Sequence, residues 1–176
     1  MSFDQARRRH RTYGARSGTD GKSVLREEKI YEVDDVPLVA TAGRLQSSKL
    51  WATSGQITES IVYAEGKPTQ RERWYLNGAL KEKSTATGSD SNTRTIQETF
   101  SDDGKIARRE TLNTSGATLG TQQIFYSNGK VRVESTYGDA DTRGRTRVIS
   151  RREWDESGKL TADDEVLDDG SRKRKL

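Results

Sequence analysis

The sequence predicts an all-β protein: an extended, single-layer antiparallel meander of repeated β-hairpins in an open twisted sheet. Three observations predict it. Apolar and polar residues alternate from Gln122 to Tyr137 on both sides of Ser127-Asn128-Gly129. Alternation sends successive side chains to opposite faces of a strand, and Asn-Gly supplies the positive φ angles of a tight hairpin. The hairpin also recurs. A large aromatic stands four residues before a glycine and a branched aliphatic two after it: Trp51, Gly55, Ile57; Trp74, Gly78, Leu80; Phe100, Gly104, Ile106; Phe125, Gly129, Val131; Trp154, Gly158, Leu160. The glycines are 23, 26, 25 and 29 residues apart, the mark of a repeat whose units bury apolar surface only against their neighbours. Finally, the chain is 30% hydrophobic and 33% charged. That is lean for a two-layer core and sufficient for a meander with one thin apolar stripe per hairpin.

Residues 1–20 have no period and read as a basic arm, flexible or loosely docked, with a short helical turn at 5–11. The sheet is expected over 21–170. Its first part, 21–46, is a degenerate cap: a strand at 26–33, a turn at Asp34-Asp35, and a reduced slot in which Val39, Gly43 and Leu45 replace the aromatic pattern. Pro37 resists a central strand. Five clear repeats occupy about 47–170. Two long polar connections, 87–93 and 138–146, read as loops on one rim. Residues 171–176 form a basic tail that either adds a short edge strand, where Lys and Arg deter edge pairing, or frays.

After each glycine the residues sort by parity. Odd offsets such as Lys81, Lys83, Arg109, Arg132 and Glu134 make a polar face. Even offsets are apolar at their ends and mixed in the middle, with Glu59, Glu82, Arg108 and Glu110. Unpaired charges are costly to bury, so this face is expected to lack a covering second sheet. The rings Trp51, Trp74, Phe100, Phe125 and Trp154, with Gly55, Gly78, Gly104, Gly129 and Gly158, read first as the structural repeat. A recognition stripe fits the second set of aromatics better: Tyr63, Tyr75, Tyr126 and Tyr137, with Arg108 and Arg132, since Tyr and Arg are enriched at interfaces.

Catalytic chemistry is hard to build here. The chain has no cysteine and one histidine, His10, among arginines, so neither a Cys–His nor a Ser–His–Asp set presents itself. Gly21-Lys22-Ser23 lacks the first glycine of a phosphate loop. The stretch 139–150 opens like a calcium loop, but Arg143 takes a ligand slot and Ser150 stands in place of the closing Glu. The expectation is a protein that is not an enzyme, with no metal and no cofactor. No apolar run approaches the ~20 residues of a membrane helix, and no signal peptide is visible. The expected location is cytoplasmic, or periplasmic where an export signal has been removed ahead of Met1-Ser2-Phe3.

The pattern of aromatic, three residues, Gly, one residue, aliphatic resembles the MORN-variant repeat. It is clearest in Trp74-Tyr75-Leu76-Asn77-Gly78-Ala79-Leu80, in Phe125-Tyr126-Ser127-Asn128-Gly129-Lys130-Val131, and in Trp154-Asp155-Glu156-Ser157-Gly158-Lys159-Leu160. The resemblance covers roughly residues 50 to 167. A second glycine closes each unit in that family, a role open to Gly66, Gly88, Gly116, Gly138 and Gly170. In bacteria the repeat fills a family of antitoxin or immunity components. The resemblance therefore implies a protein partner, an effector toxin blocked sterically. Net charge is +4, whereas a nuclease inhibitor is expected to be acidic, which favours a non-nuclease effector. Nucleic acid, bound by the basic termini and sheet aromatics, ranks second as a partner, and an anionic membrane surface third.

Overall fold

The computed structural model describes residues 7–15, 23–32, 43–88 and 90–176. It contains thirteen antiparallel strands in one open sheet whose order is that of the chain. These are β1 (Arg7–Ala15), β2 (Ser23–Glu32), β3 (Arg44–Trp51), β4 (Ile57–Ala64), β5 (Lys67–Trp74), β6 (Leu80–Thr87), β7 (Arg94–Phe100), β8 (Ile106–Leu112), β9 (Thr118–Phe125), β10 (Val131–Tyr137), β11 (Val148–Trp154), β12 (Leu160–Val166) and β13 (Arg172–Arg174), with a 3₁₀ turn at Asp90–Asn92. The chain divides into two compact units, Met1–Leu80 and Lys81–Leu176. The all-β hairpin meander expected from the sequence is the fold observed.

Two N-terminal expectations change. Residues 7–15, read as an arm with a helical turn, form β1 and pair with β2, Arg11 opposite Glu28. A strand was not legible there because Arg7–Arg11 offers no apolar alternation; pairing rests on backbone hydrogen bonds and cross-strand charge. The slot residue Val39 and Pro37 lie outside the described residues. At the other end, 172–174 pair with β12.

The repeat motif has a direct structural meaning. In four hairpins the aromatic pairs across the turn with the aliphatic: Trp51 with Ile57, Phe100 with Ile106, Phe125 with Val131, and Trp154 with Leu160. The register shifts beside each of these pairs, which marks a bulge. The turn itself is not the two-residue Asn-Gly type expected. In the Tyr126–Lys130 turn the Gly129 N–H donates to Tyr126 O (2.9 Å) and the Tyr126 N–H to Lys130 O (2.8 Å). That is a three-residue loop closed by a left-handed glycine. Among the described residues, both residues of a two-residue turn have positive φ only at Glu65-Gly66 (50° and 76°), a turn with no Asn-Gly pair.

The same loop recurs on the opposite rim at Gly116, Gly144 and Gly170. Gly144, not Gly138, therefore closes its unit, and the polar connection 138–146 contains an ordered turn. Two side-chain devices hold these loops. Asn77 and Asn128, one residue before glycine, accept the N–H that follows it (2.9 Å each). Asn113, Asp141 and Asp155, three before glycine, accept two N–H groups apiece at 2.9–3.0 Å. Short polar side chains satisfy turn N–H groups in this way.

Turns on one rim lean on each other within the second unit. Asn128 Nδ2 donates to Glu156 O (3.1 Å) and Lys130 Nζ to Ser157 O (2.7 Å). On the other rim Asn113 Nδ2 and Ser115 Oγ donate to Gly144 O (2.9 and 3.0 Å). One period carries the chain up and back, so successive turns on a rim become neighbours.

The buried residues are few and mostly polar: Val133 and Ala162, with Glu110, Thr118, Gln122, Ser135 and Asp164. All seven sit at even offsets or opposite them in register, on the face expected to be mixed. Among the described residues no second sheet covers this face, as expected; of its mid-strand charges Arg108 is exposed and Glu110 is buried. Glu110 is hidden by its own sheet, and three donors repay its desolvation: Arg108 Nη2 (2.6 Å), Thr118 Oγ1 (2.9 Å) and Gln122 Nε2 (2.8 Å). Asp164 is covered by arginines, with Arg174 Nε 2.5 Å from its Oδ1, an ion pair in distance but poorly aligned for a hydrogen bond.

The polar face carries a ladder of charge in register. Across the second unit Lys83, Glu98, Arg109, Gln123, Glu134, Arg152 and Asp163 stand opposite one another in turn. Arg109 Nε donates to Glu98 (2.8 Å) and Gln123 Nε2 to Glu134 (3.0 Å). In the first unit Arg11, Glu28 and Lys49 do the same, followed by Ser60 and Glu72. Opposite charges directly across strands stabilise pairing by a few tenths of a kcal/mol each, ~0.2–1.

Glu59 gives one test of this electrostatic design. Burial pushes its carboxyl up, but hydrogen bonds from Arg71 (2.5 Å) and Arg73 (3.0 Å) outweigh burial and hold it below its ordinary value of 4.5. A lowered folded value means stability that is complete above the unfolded value and is lost as pH falls through the folded one. Replacing Glu59 with Gln should remove ~1 kcal/mol or less at neutral pH, because both arginines are part-exposed. It should also flatten the fall in stability between about pH 5 and pH 3. Urea midpoints measured against pH for the two proteins check this; parallel curves contradict it.

Candidate partner-binding site

The proposed recognition residues are divided between the two units. Tyr63 sits on β4 opposite Pro68, and half-buried Tyr75 opens the turn after β5. Both belong to the first unit. In the second, exposed Arg108 is paired with Glu110, and half-buried Tyr137 pairs with Val148.

Tyr126 and Arg132 do come together. The Arg132 guanidinium carbon lies 6.0 Å from the Tyr126 ring centre, within reach of a cation–π contact. The Tyr126 hydroxyl donates to Trp154 O (2.8 Å) and ties the ring to the next turn on the rim. Arg151, Glu153, Trp154 and Thr161 complete a shallow, open pocket of about 450 Å³. Arg151 Nε donates to Glu153 (2.7 Å), so a self-paired polar couple shares the lining with buried Val133 and the two aromatics. A rigid aromatic pair beside arginine suits a protein interface.

Trp154, assigned on sequence to the repeat core, therefore has a second place in this pocket, with Arg151 and Glu153. The signal lay in the period: Tyr126 and Trp154 occupy successive units, whose turns neighbour each other on one rim. Arg109 similarly lies 6.0 Å from the Phe125 ring centre.

Among the described residues, no group of three or more His, Cys, Asp or Glu could hold a metal ion. Nor is any helix there long and apolar enough to cross a membrane. The fold and the pocket define a β-hairpin repeat protein that presents a patterned sheet and a rim of ordered turns.

Residues 119–139 match the family model described as MORN repeat variant. The chain is a MORN-like repeat protein. No curated protein matches it. A solved structure similar to it, a protein with unknown function from Bacteroides fragilis NCTC 9343, is 9% identical, covers 86% of this chain and 94% of its own, and superposes with a TM-score of 0.20.

Proposed function

We propose that this protein is a non-catalytic binding module for another protein, an immunity- or antitoxin-like inhibitor that sterically blocks a bacterial effector, with a non-nuclease effector favoured. The observation that carries the reading is the Tyr126–Arg132–Trp154 cluster: two aromatics and an arginine held in place by a hydrogen bond and a ring contact on an exposed rim. Side chains already fixed before binding lose less entropy on contact. An extended sheet can also supply the ~1,600 Å² that a stable complex buries. Nucleic acid is the weaker reading, because the basic residues of the polar face alternate with acids in register and phosphate binding wants cations unopposed.

The test is a calorimetric titration against the product of the adjacent open reading frame, with a growth assay for relief of toxicity. Tyr126→Ala and Arg132→Ala should each weaken binding by about 2 kcal/mol, a ~30-fold rise in Kd. Absence of a complex together with unrelieved toxicity would sink the reading.

A further inference from the structure

The charge ladder of the first unit ends out of balance. On β2, Glu28 is the one carboxylate of its row shared by Arg9, Arg11 and Lys49. Arg11 Nε donates to its Oε1 at 2.7 Å, Arg9 Nε lies at 3.6 Å, and Lys49 stands opposite in register. The Glu28 side chain is 12% exposed, while those of Arg9 and Arg11 are 56% and 42% exposed. Elsewhere along these rows each cation stands opposite a carboxylate on at least one neighbouring strand, with Gln123 and Ser60 as neutral steps. On β1 two exposed arginines draw on the one Glu28 carboxylate. Among the described residues β2 is the sole neighbour of β1, whose nine residues form an edge of the described sheet.

A long open edge is a template for an added strand, and charge is what selects or rejects the comer. Arginines on β1 repel a second β1. A strand carrying carboxylates would continue the ladder and share Arg9 and Arg11 with Glu28. We propose that the β1 edge takes an acidic extended segment of another protein by strand addition, its carboxylates in register with Arg9 and Arg11. Backbone hydrogen bonds would supply affinity, and the two arginines would choose the sequence. This site does not depend on the Tyr126 pocket.

The experiment uses the full chain and a fluorescent peptide of about eight residues, a usual strand length, in which glutamate alternates with threonine. Two controls accompany it: the same peptide with alternate backbone amides N-methylated, and a lysine–threonine peptide. Fluorescence polarisation gives Kd, and amide exchange by mass spectrometry locates protection. The acidic peptide should bind at least ~10-fold more tightly than either control and protect residues 7–15. Arg9→Glu with Arg11→Glu should lose the acidic peptide and gain the lysine one. Where that reversal detaches β1, Arg9→Gln alone should still weaken the acidic peptide at least ~3-fold. Equal binding of the N-methylated peptide, protection confined to other strands, an unchanged Kd in Arg9→Gln, or self-association of the protein through β1 would each overturn the proposal.

Discussion

Gly88→Ala is expected to destabilise the second unit by about 3 kcal/mol or more, against about 1 kcal/mol for Gly104→Ala. The two glycines share a left-handed backbone, φ +80° and +82°, so an added methyl meets the same local strain at each. Their surroundings differ. A Cβ at Gly104 meets nothing within 4 Å, whereas one at Gly88 would lie 2.7 Å from the Asn92 carbonyl oxygen and 3.3 Å from its carbon. Those atoms are backbone at the end of the Asp90–Asn92 turn, so they cannot rotate away as a flexible side chain would. Relief requires the connection between β6 and β7 to open. Urea unfolding followed by tryptophan fluorescence and by far-ultraviolet circular dichroism measures both variants. Equal losses would mean that the Asn92 carbonyl yields freely and that crowding contributes nothing.

The repeats were legible because the motif is a contact. An aromatic paired across a turn with an aliphatic leaves a fixed spacing around a glycine, and Trp51, Phe100, Phe125 and Trp154 all show it. The turn type was misread because Asn-Gly serves two geometries. In this fold Asn128 uses its side chain to accept the Lys130 N–H (2.9 Å) rather than its backbone to supply a positive φ. β1 was hidden because its pairing is written in charge, Arg11 against Glu28, and periodicity methods read hydropathy. The pocket was half visible. Tyr126 and Arg132 could be named from residue type, but Trp154 joins them through the neighbouring turn, a contact between units that spacing within one unit does not encode. The ladder from Lys83 to Asp163 was equally out of reach, since a bulge such as that in β9 changes which residue stands opposite which.

That bulge leads to the second large effect, at Glu110. Between the pairs Arg109–Gln123 and Thr111–Leu119, one residue of β8 faces three of β9, and Gly120 there takes φ +61°. The excess length lets Thr118 and Gln122 both reach Glu110 Oε2 (2.9 and 2.8 Å), where Arg108 also arrives (2.6 Å). Three donors on one buried oxygen make the carboxylate the keystone of the face. Glu110→Ala should cost about 3 kcal/mol, because it strands two buried neutral groups, Thr118 and Gln122, at once. Glu110→Gln keeps an acceptor and loses only the charge, so about 1 kcal/mol is expected. Arg108→Met should cost less than ~1 kcal/mol, since Arg108 is nearly half exposed and water replaces it at one donor position of the three. The order Ala, then Gln, then the arginine variant follows from where the burial lies. A double-mutant cycle between positions 108 and 110, read in urea midpoints, measures the coupling. An arginine variant as damaging as Glu110→Ala would place the stability in the ion pair rather than in the bulge that assembles the site.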